Sequence, residues 1–223
     1  MDLGLQNRRA IVTGGSKGIG KSIAYELATE GADLALCARG DEALQATASE
    51  LREKTGRKVF AQATDVTDDA QVSAFVTAAA KEMGGIDILV NNAGSALPGT
   101  FEEVDEARWK ADLDVKLFAA MRCVRHVLPH LKESDQARIV NINSIVGRQI
   151  APDYIANSTD RAACLAFNKG LSDNLAQYGI LVNSISPGNV KSEAWGSTLD
   201  YFSPDAELEA YYKEVSEQTP LGR

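Results

Sequence analysis

The sequence predicts a doubly wound α/β fold: a parallel sheet with helices on both faces, in a single domain spanning 1–223. Three observations lead there. Short β-branched runs alternate with longer amphipathic stretches. The runs are apolar without strict alternation, as strands buried on both faces are. A glycine-rich turn joins the first run to the first helical stretch, where folds of this kind meet a ligand.

Taken in order, strands are expected at 9–13, 33–38, 58–64, 87–91, 138–143 and 181–186. Between them, Ile19, Ile23 and Leu27 recur at four-residue spacing, as do Leu113, Leu117 and Met121, followed by Val124, so each set marks one face of a helix. Right-handed β–α–β crossovers make the sheet parallel. Pro187-Gly188 ends the last strand, and Pro204-Asp205 opens a short helix running through Glu217. The segment 188–218 leaves the C-terminal end of a parallel strand, where a substrate lid sits, and Trp195, Tyr201 and Phe202 give it aromatic walls.

Composition narrows the function. A net charge of −8 offers no footprint for nucleic acid. No apolar run is long enough to span a bilayer, and the opening MDLGLQNRRA reads as neither a secretory nor a transit leader, so a cytoplasmic protein is expected. Cys37, Cys123 and Cys164 are odd in number and lack a C-x-x-C pair, which suits small buried hydrophobes. His126 and His130 stand at helical metal-ligand spacing, but Pro129 interrupts that stretch and no third ligand follows, so no metal site is expected.

The chemistry starts in the first turn. The strand Ala10-Ile11-Val12-Thr13 runs into Gly14-Gly15-Ser16-Lys17-Gly18-Ile19-Gly20 and then a helix. Glycines permit the tight turn and a close backbone approach, and the helix N-terminus offers free N–H groups to a pyrophosphate. A nicotinamide dinucleotide is the expected ligand. Nineteen residues after Gly20, where an acid would hold a ribose 2′-hydroxyl, stands Arg39. A guanidinium there grips a 2′-phosphate, and Lys17 adds a second cation, so NADP(H) is expected over NAD(H).

Further on come Asp65-Val66, Asn91-Asn92-Ala93-Gly94 and Pro187-Gly188, each at the end of a strand. With the glycine turn, these resemble the short-chain dehydrogenase/reductase family, in order and along the whole chain. The resemblance implies a Rossmann-like fold and contact of Asp65 and Val66 with the adenine. It also implies support of the cofactor by Asn92, Ala93 and Gly94, and a nicotinamide lined by 187–192, including Pro187, Gly188, Val190 and Ser192. Family members usually carry an Asn–Ser–Tyr–Lys tetrad. Here the serine is Ser144, the tyrosine position is Asn157, the lysine position is Arg161 and the asparagine position is Lys116. Family chains also continue past Pro220-Leu221-Gly222-Arg223 into a helix and a final edge strand, which are missing here if Arg223 is the native end. The open sheet edge would then be covered by a partner subunit, and a homo-oligomer is expected.

An amide at 157 donates a hydrogen bond but exchanges no proton near neutrality, and Arg161 stays charged. Proton delivery then passes to Lys116, whose pKa falls on burial or beside a cation, to Tyr154, or to water. Three readings follow. The first is an NADP(H)-dependent oxidoreductase interconverting a small carbonyl compound and its alcohol, with Ser144, Asn157, Arg161 and Lys116 in the site. The second is a non-catalytic NADP(H)-binding module, either a sensor or a silent subunit. The third, a lyase or dehalogenase on the same fold, ranks last because the glycine turn and Arg39 are intact.

Overall fold

A computed structural model describes residues 2–192, 199, 201–203, 207–217 and 219–222. Its strands are β1 (Arg9–Thr13), β2 (Asp33–Ala38), β3 (Val59–Ala63), β4 (Ile88–Asn91), β5 (Arg138–Ile142) and β6 (Leu181–Ile185). They form one parallel sheet in the order β3-β2-β1-β4-β5-β6. The helices are α1 (Gly18–Thr29), α2 (Asp41–Thr55), α3 (Asp69–Met83), α4 (Glu106–Leu113), α5 (Ala119–Lys132), α6 (Ile155–Leu175) and α7 (Leu208–Glu217). A π-helical turn, Asp114–Phe118, splices α4 to α5, and 3-10 turns cover Ile145–Gly147 and Ala176–Tyr178.

Alternate strand residues feed two cores. Ile11, Phe75, Leu89, Val127 and Ile139 pack on one face of the sheet, and Val12, Leu34, Leu36, Leu44 and Val90 on the other. Each such side chain contributes about 1.5–3 kcal/mol when fully buried. At the N-terminal edge the buried Asp87 carboxylate accepts from Arg9 N, Nε and Nη2 at 2.9, 2.8 and 2.7 Å and from Ser134 Oγ at 2.6 Å. This pins the starts of β1 and β4 together. At the opposite edge the chain order reverses between β1 and β4, opening the crevice in which a doubly wound sheet binds ligands.

The fold class and all six strands agree with expectation, with strand ends trimmed by a residue or two. Lys58, Thr64, Asp87, Asn143 and Ser186 fall outside their strands. Pro129 does not interrupt its helix: α5 runs through it to Lys132. Pro129 lies on the exposed side one turn from the end, so the lost bond to the exposed Arg125 costs little there. His126 Nε2 lies 3.0 Å from Asp69 Oδ1 of α3. All three cysteines are buried thiols, and burial pushes the Cys123 thiol up to about 12. Among the described residues no helix is long and apolar enough to cross a membrane. The expected lid, 188–218, is described only in part: 193–198, 200, 204–206 and 218 lie outside the described residues, and Trp195 with them. Its described residues include α7, which begins at Leu208. They also include Tyr201, whose hydroxyl donates to Glu103 Oε2 at 2.5 Å, and Phe202, whose ring meets that of Tyr154 at 5.3 Å.

Candidate active site

The glycine turn is built by contact. Gly14 and Gly18 hold φ of 65° and 55°, the left-handed region that favours glycine. Gly20 is fixed by space: a Cβ there would sit 2.2 Å from Gly14 O and 2.5 Å from Asn92 Nδ2. Thr13 Oγ1 accepts from Asn92 N at 2.9 Å and Ala93 N at 3.0 Å, while Asn92 Nδ2 donates to Thr13 O at 3.0 Å and Gly14 O at 3.2 Å. These bonds lock the ends of β1 and β4 beside the start of α1. That start carries no side-chain cap and no acid in its first turn, leaving its N–H groups available to an anion. The residues fit a dinucleotide pyrophosphate.

Lys17 lies in the glycine turn and Arg39 directly follows β2. Lys17 and Arg39 are exposed, and neither makes a side-chain hydrogen bond or ion pair to a described residue. Asp65 accepts from Thr67 N and Thr67 Oγ1, which hold its carboxyl below the usual carboxylate range, with the nearby Arg39 charge assisting. Val66 is buried beside it. In the segment after β6, Pro187 O accepts from Ile145 N at 3.0 Å, and Ser192 comes within 3.6 Å of a Cβ placed on Gly18. Gly188 and Val190 are exposed on this stretch. Gly94, with φ of 153°, faces Arg161 and Lys116.

The structure brings Lys116, Asn157 and Arg161 together and sets Ser144 on the adjacent turn. Lys116 rides on the π-helical turn, and its side chain is wholly enclosed. Its ammonium donates to Asp112 Oδ2 and, at 2.6 Å, to Asn157 Oδ1 of α6. Burial lowers the Lys116 pKa to about 8 against the opposing pull of Asp112, and the Arg161 charge lowers it further. Because Oδ1 of Asn157 is taken by the cation, Nδ2 is the free, donating end of that amide, with no partner among the described residues. Arg161 Nη1 donates to Ile142 O at 3.0 Å, while its buried Nε has no partner among the described residues. Ser144 Oγ accepts from Val146 N at 3.4 Å, which leaves its hydroxyl hydrogen to donate elsewhere. A cavity of ≈ 20 Å³ lies beside these groups, with Asn91, Asn143, Lys116 and Arg161 in its lining.

The Lys116 ammonium is enclosed and reaches Asn157 directly. Tyr154 lies at the entrance of α6 with its ring against Phe202. Sequence reasoning also passed over Asp112, Trp109 and Asp160. Asp160 is 1% exposed and accepts from Trp109 Nε1 at 3.2 Å. The four-residue spacing of Asp112 and Lys116 on one helical face was the available signal for the first of them. The other two are joined only by folding.

A family model for short chain dehydrogenases matches residues 8–200. The chain belongs to the short-chain dehydrogenase family. It is 35% identical over 189 residues to the 3-oxoacyl-acyl-carrier-protein reductase of Chlamydia muridarum, covering 85% of this chain and 76% of that protein. Among solved structures it resembles L-sorbose reductase from Gluconobacter frateurii, complexed with NADPH and L-sorbose, at a TM-score of 0.94 and 32% identity. That likeness covers 100% of this chain and 86% of the reductase. An NADPH-bound short-chain oxidoreductase from Pseudomonas aeruginosa PAO1, described as containing an atypical catalytic centre, matches at a TM-score of 0.89 and 36% identity, covering 98% of this chain and 84% of that one. As a short-chain dehydrogenase the protein is an NAD(P)-dependent oxidoreductase acting on carbonyl or alcohol substrates.

In this family member Gly20→Ala forces a methyl group onto backbone that cannot yield. Calorimetric titration is expected to show about tenfold or greater loss of cofactor affinity, and urea unfolding a loss of about 1–3 kcal/mol. Wild-type affinity and stability in the variant would mean that α1 does not pack against the turn in this way.

Proposed function

We propose that the protein is an NADP(H)-dependent reductase of small carbonyl compounds with a non-standard site, in which Ser144 and Asn157 polarise the substrate oxygen. The observation that carries this reading is the 2.6 Å bond from the buried Lys116 ammonium to Asn157 Oδ1. A tyrosine would offer one O–H that also gives up its proton. Asn157 offers an N–H instead, aimed by a cation that cannot rotate away and strengthened by that positive charge. Arg161 adds a second buried charge behind the oxygen and is the group suited to a cofactor ribose.

When bound, the reduced nicotinamide supplies the hydride. Asn157 Nδ2–H and Ser144 Oγ–H donate to the carbonyl oxygen as negative charge develops on it, and water from the open side returns the proton that completes the alcohol. Lys116 is then a positioning residue: it keeps Asn157 in its donating orientation. Lys17 and Arg39, exposed and without a described partner, suit a 2′-phosphate, which supports NADPH over NADH. Gly14, Ser16, Lys17, Gly18, Ile19 and Gly20 would receive the pyrophosphate, and 187–192 the nicotinamide. The full enclosure of the Lys116 ammonium also favours a second reading, a cofactor-binding module without turnover. NADPH binding with no consumption against any carbonyl compound would select that reading.

Two measurements check the assignment. Arg39→Ala is expected to weaken NADPH binding about 10–100-fold by calorimetry and to leave NADH binding nearly unchanged. Equal losses for both cofactors would remove the 2′-phosphate role. Against a panel of small ketones and aldehydes, Asn157→Ala is expected to lower kcat about 10²–10³-fold with little change in KM. A variant as fast as the wild type would exclude Asn157 as the oxygen's donor.

A further inference from the structure

Behind Asn157 and Lys116 lies a second layer that the reductase reading leaves unused. Asp160 stands on α6 beside Arg161, and its carboxyl is sealed from solvent. Oδ1 accepts from Trp109 Nε1, whose indole is braced edge-on by Phe101 at 6.5 Å. Oδ2 is enclosed and receives no hydrogen from any described donor. The carboxyl of Asp112 is a hydrogen-bonding neighbour of the Asp160 carboxyl. Two carboxyls in contact with no donor between them are held together only if one carries a proton. Asp112 has the Lys116 ammonium on its Oδ2, whereas Asp160 has no direct cation contact, so the proton belongs on Asp160.

We infer that Asp160 is a neutral acid donating to Asp112, and that this shared proton leaves a net positive charge on the cluster behind Asn157. Lys116 and Arg161 are cations, Asp112 is the one anion, and Asp160 is neutral. Ionising Asp160 would cancel the excess charge where the substrate oxygen becomes negative. It would also draw the Lys116 ammonium toward two carboxylates and away from Asn157. Asp160 is therefore a positioning residue, acting through Asp112 and Lys116.

The titratable and charged groups facing Asp160 are Asp112 and Lys116 across the helix interface, and Arg161 and Cys164 on its own helix. Burial, then the contact with Asp112 and its charge, raise the Asp160 pKa far above the usual aspartate range, with Lys116 opposing. The acid therefore persists through mildly acidic pH, and reduction slows as pH rises and Asp160 ionises.

The proton itself is independent of the reductase reading; only its effect on rate rests on it. The test is carboxyl titration of the full-length wild type by infrared or aspartate ¹³C NMR, with Asp160→Asn for assignment. One aspartate is expected to remain protonated at about pH 6, some two units above the ordinary value, and its signal to vanish in Asp160→Asn. If every aspartate is ionised at that pH, the inference is overturned, and the wild-type spectrum decides this even if the variant does not fold. In turnover with NADPH, Asp160→Asn is expected to move the alkaline limb of the kcat profile to higher pH, while Asp112→Asn, which strips Lys116 of its counter-ion, lowers kcat across the profile. An alkaline limb identical in Asp160→Asn and wild type would overturn the role in rate. Absence of turnover at every pH would instead defeat the reductase reading and leave the proton to the spectra.

Discussion

A lysine ammonium shut away from water sets the terms for everything around it. Burying such a charge unpaired costs several kcal/mol, so its partners must be close and oriented. Lys116 meets that demand with Asp112 one helical turn before it and with the side-chain oxygen of Asn157 across the helix interface. The π-helical turn between α4 and α5 places the side chain there. The amide is oriented as a result, and a fixed amide is a donor whose reorganisation has been completed before a substrate arrives.

The scaffold supplies the rest by holding separate strand ends in one crevice. Thr13 and Asn92 cross-link β1 and β4 at the point where the strand order reverses, and Gly20 lets the first helix press onto that junction. The same sheet edge carries β5 into Ser144 and the short turn that packs against the backbone of Arg161. The glycine turn and the turn that carries Ser144 are thus set by one sheet edge, while beyond β6 Tyr201 donates to Glu103, Phe202 meets the ring of Tyr154 and Tyr212 donates to the backbone of Ser192.

Much of this was legible in the sequence. Strand runs such as Ala10–Val12 and Leu34–Cys37 declare a sheet buried on both faces, and the glycines at 14, 18 and 20 name their own backbone constraints. Positions 116, 157 and 161 could be placed by spacing against the family pattern, and the structure gathers all three. What the sequence withheld was direction. The sequence places Lys116 near the site but not its depth, because a residue's depth depends on what another helix lays over it. Asp160 and Trp109 lie 51 positions apart in the chain and meet only through tertiary packing. Pro129 misled for a related reason: its cost depends on where in the helix turn it falls and on which side.

Whether Lys116 acts on the substrate through Asn157 is read most directly by a double-mutant cycle on kcat/KM for NADPH-dependent reduction. Lys116→Met, Asn157→Ala and the combined variant would be compared with wild type. The account predicts strong coupling, with the double variant scarcely slower than Asn157→Ala alone and an interaction energy of about 1–3 kcal/mol. Additive losses, each substitution slowing the reaction by its own factor whether or not the other is present, would contradict it and return Lys116 to an independent role.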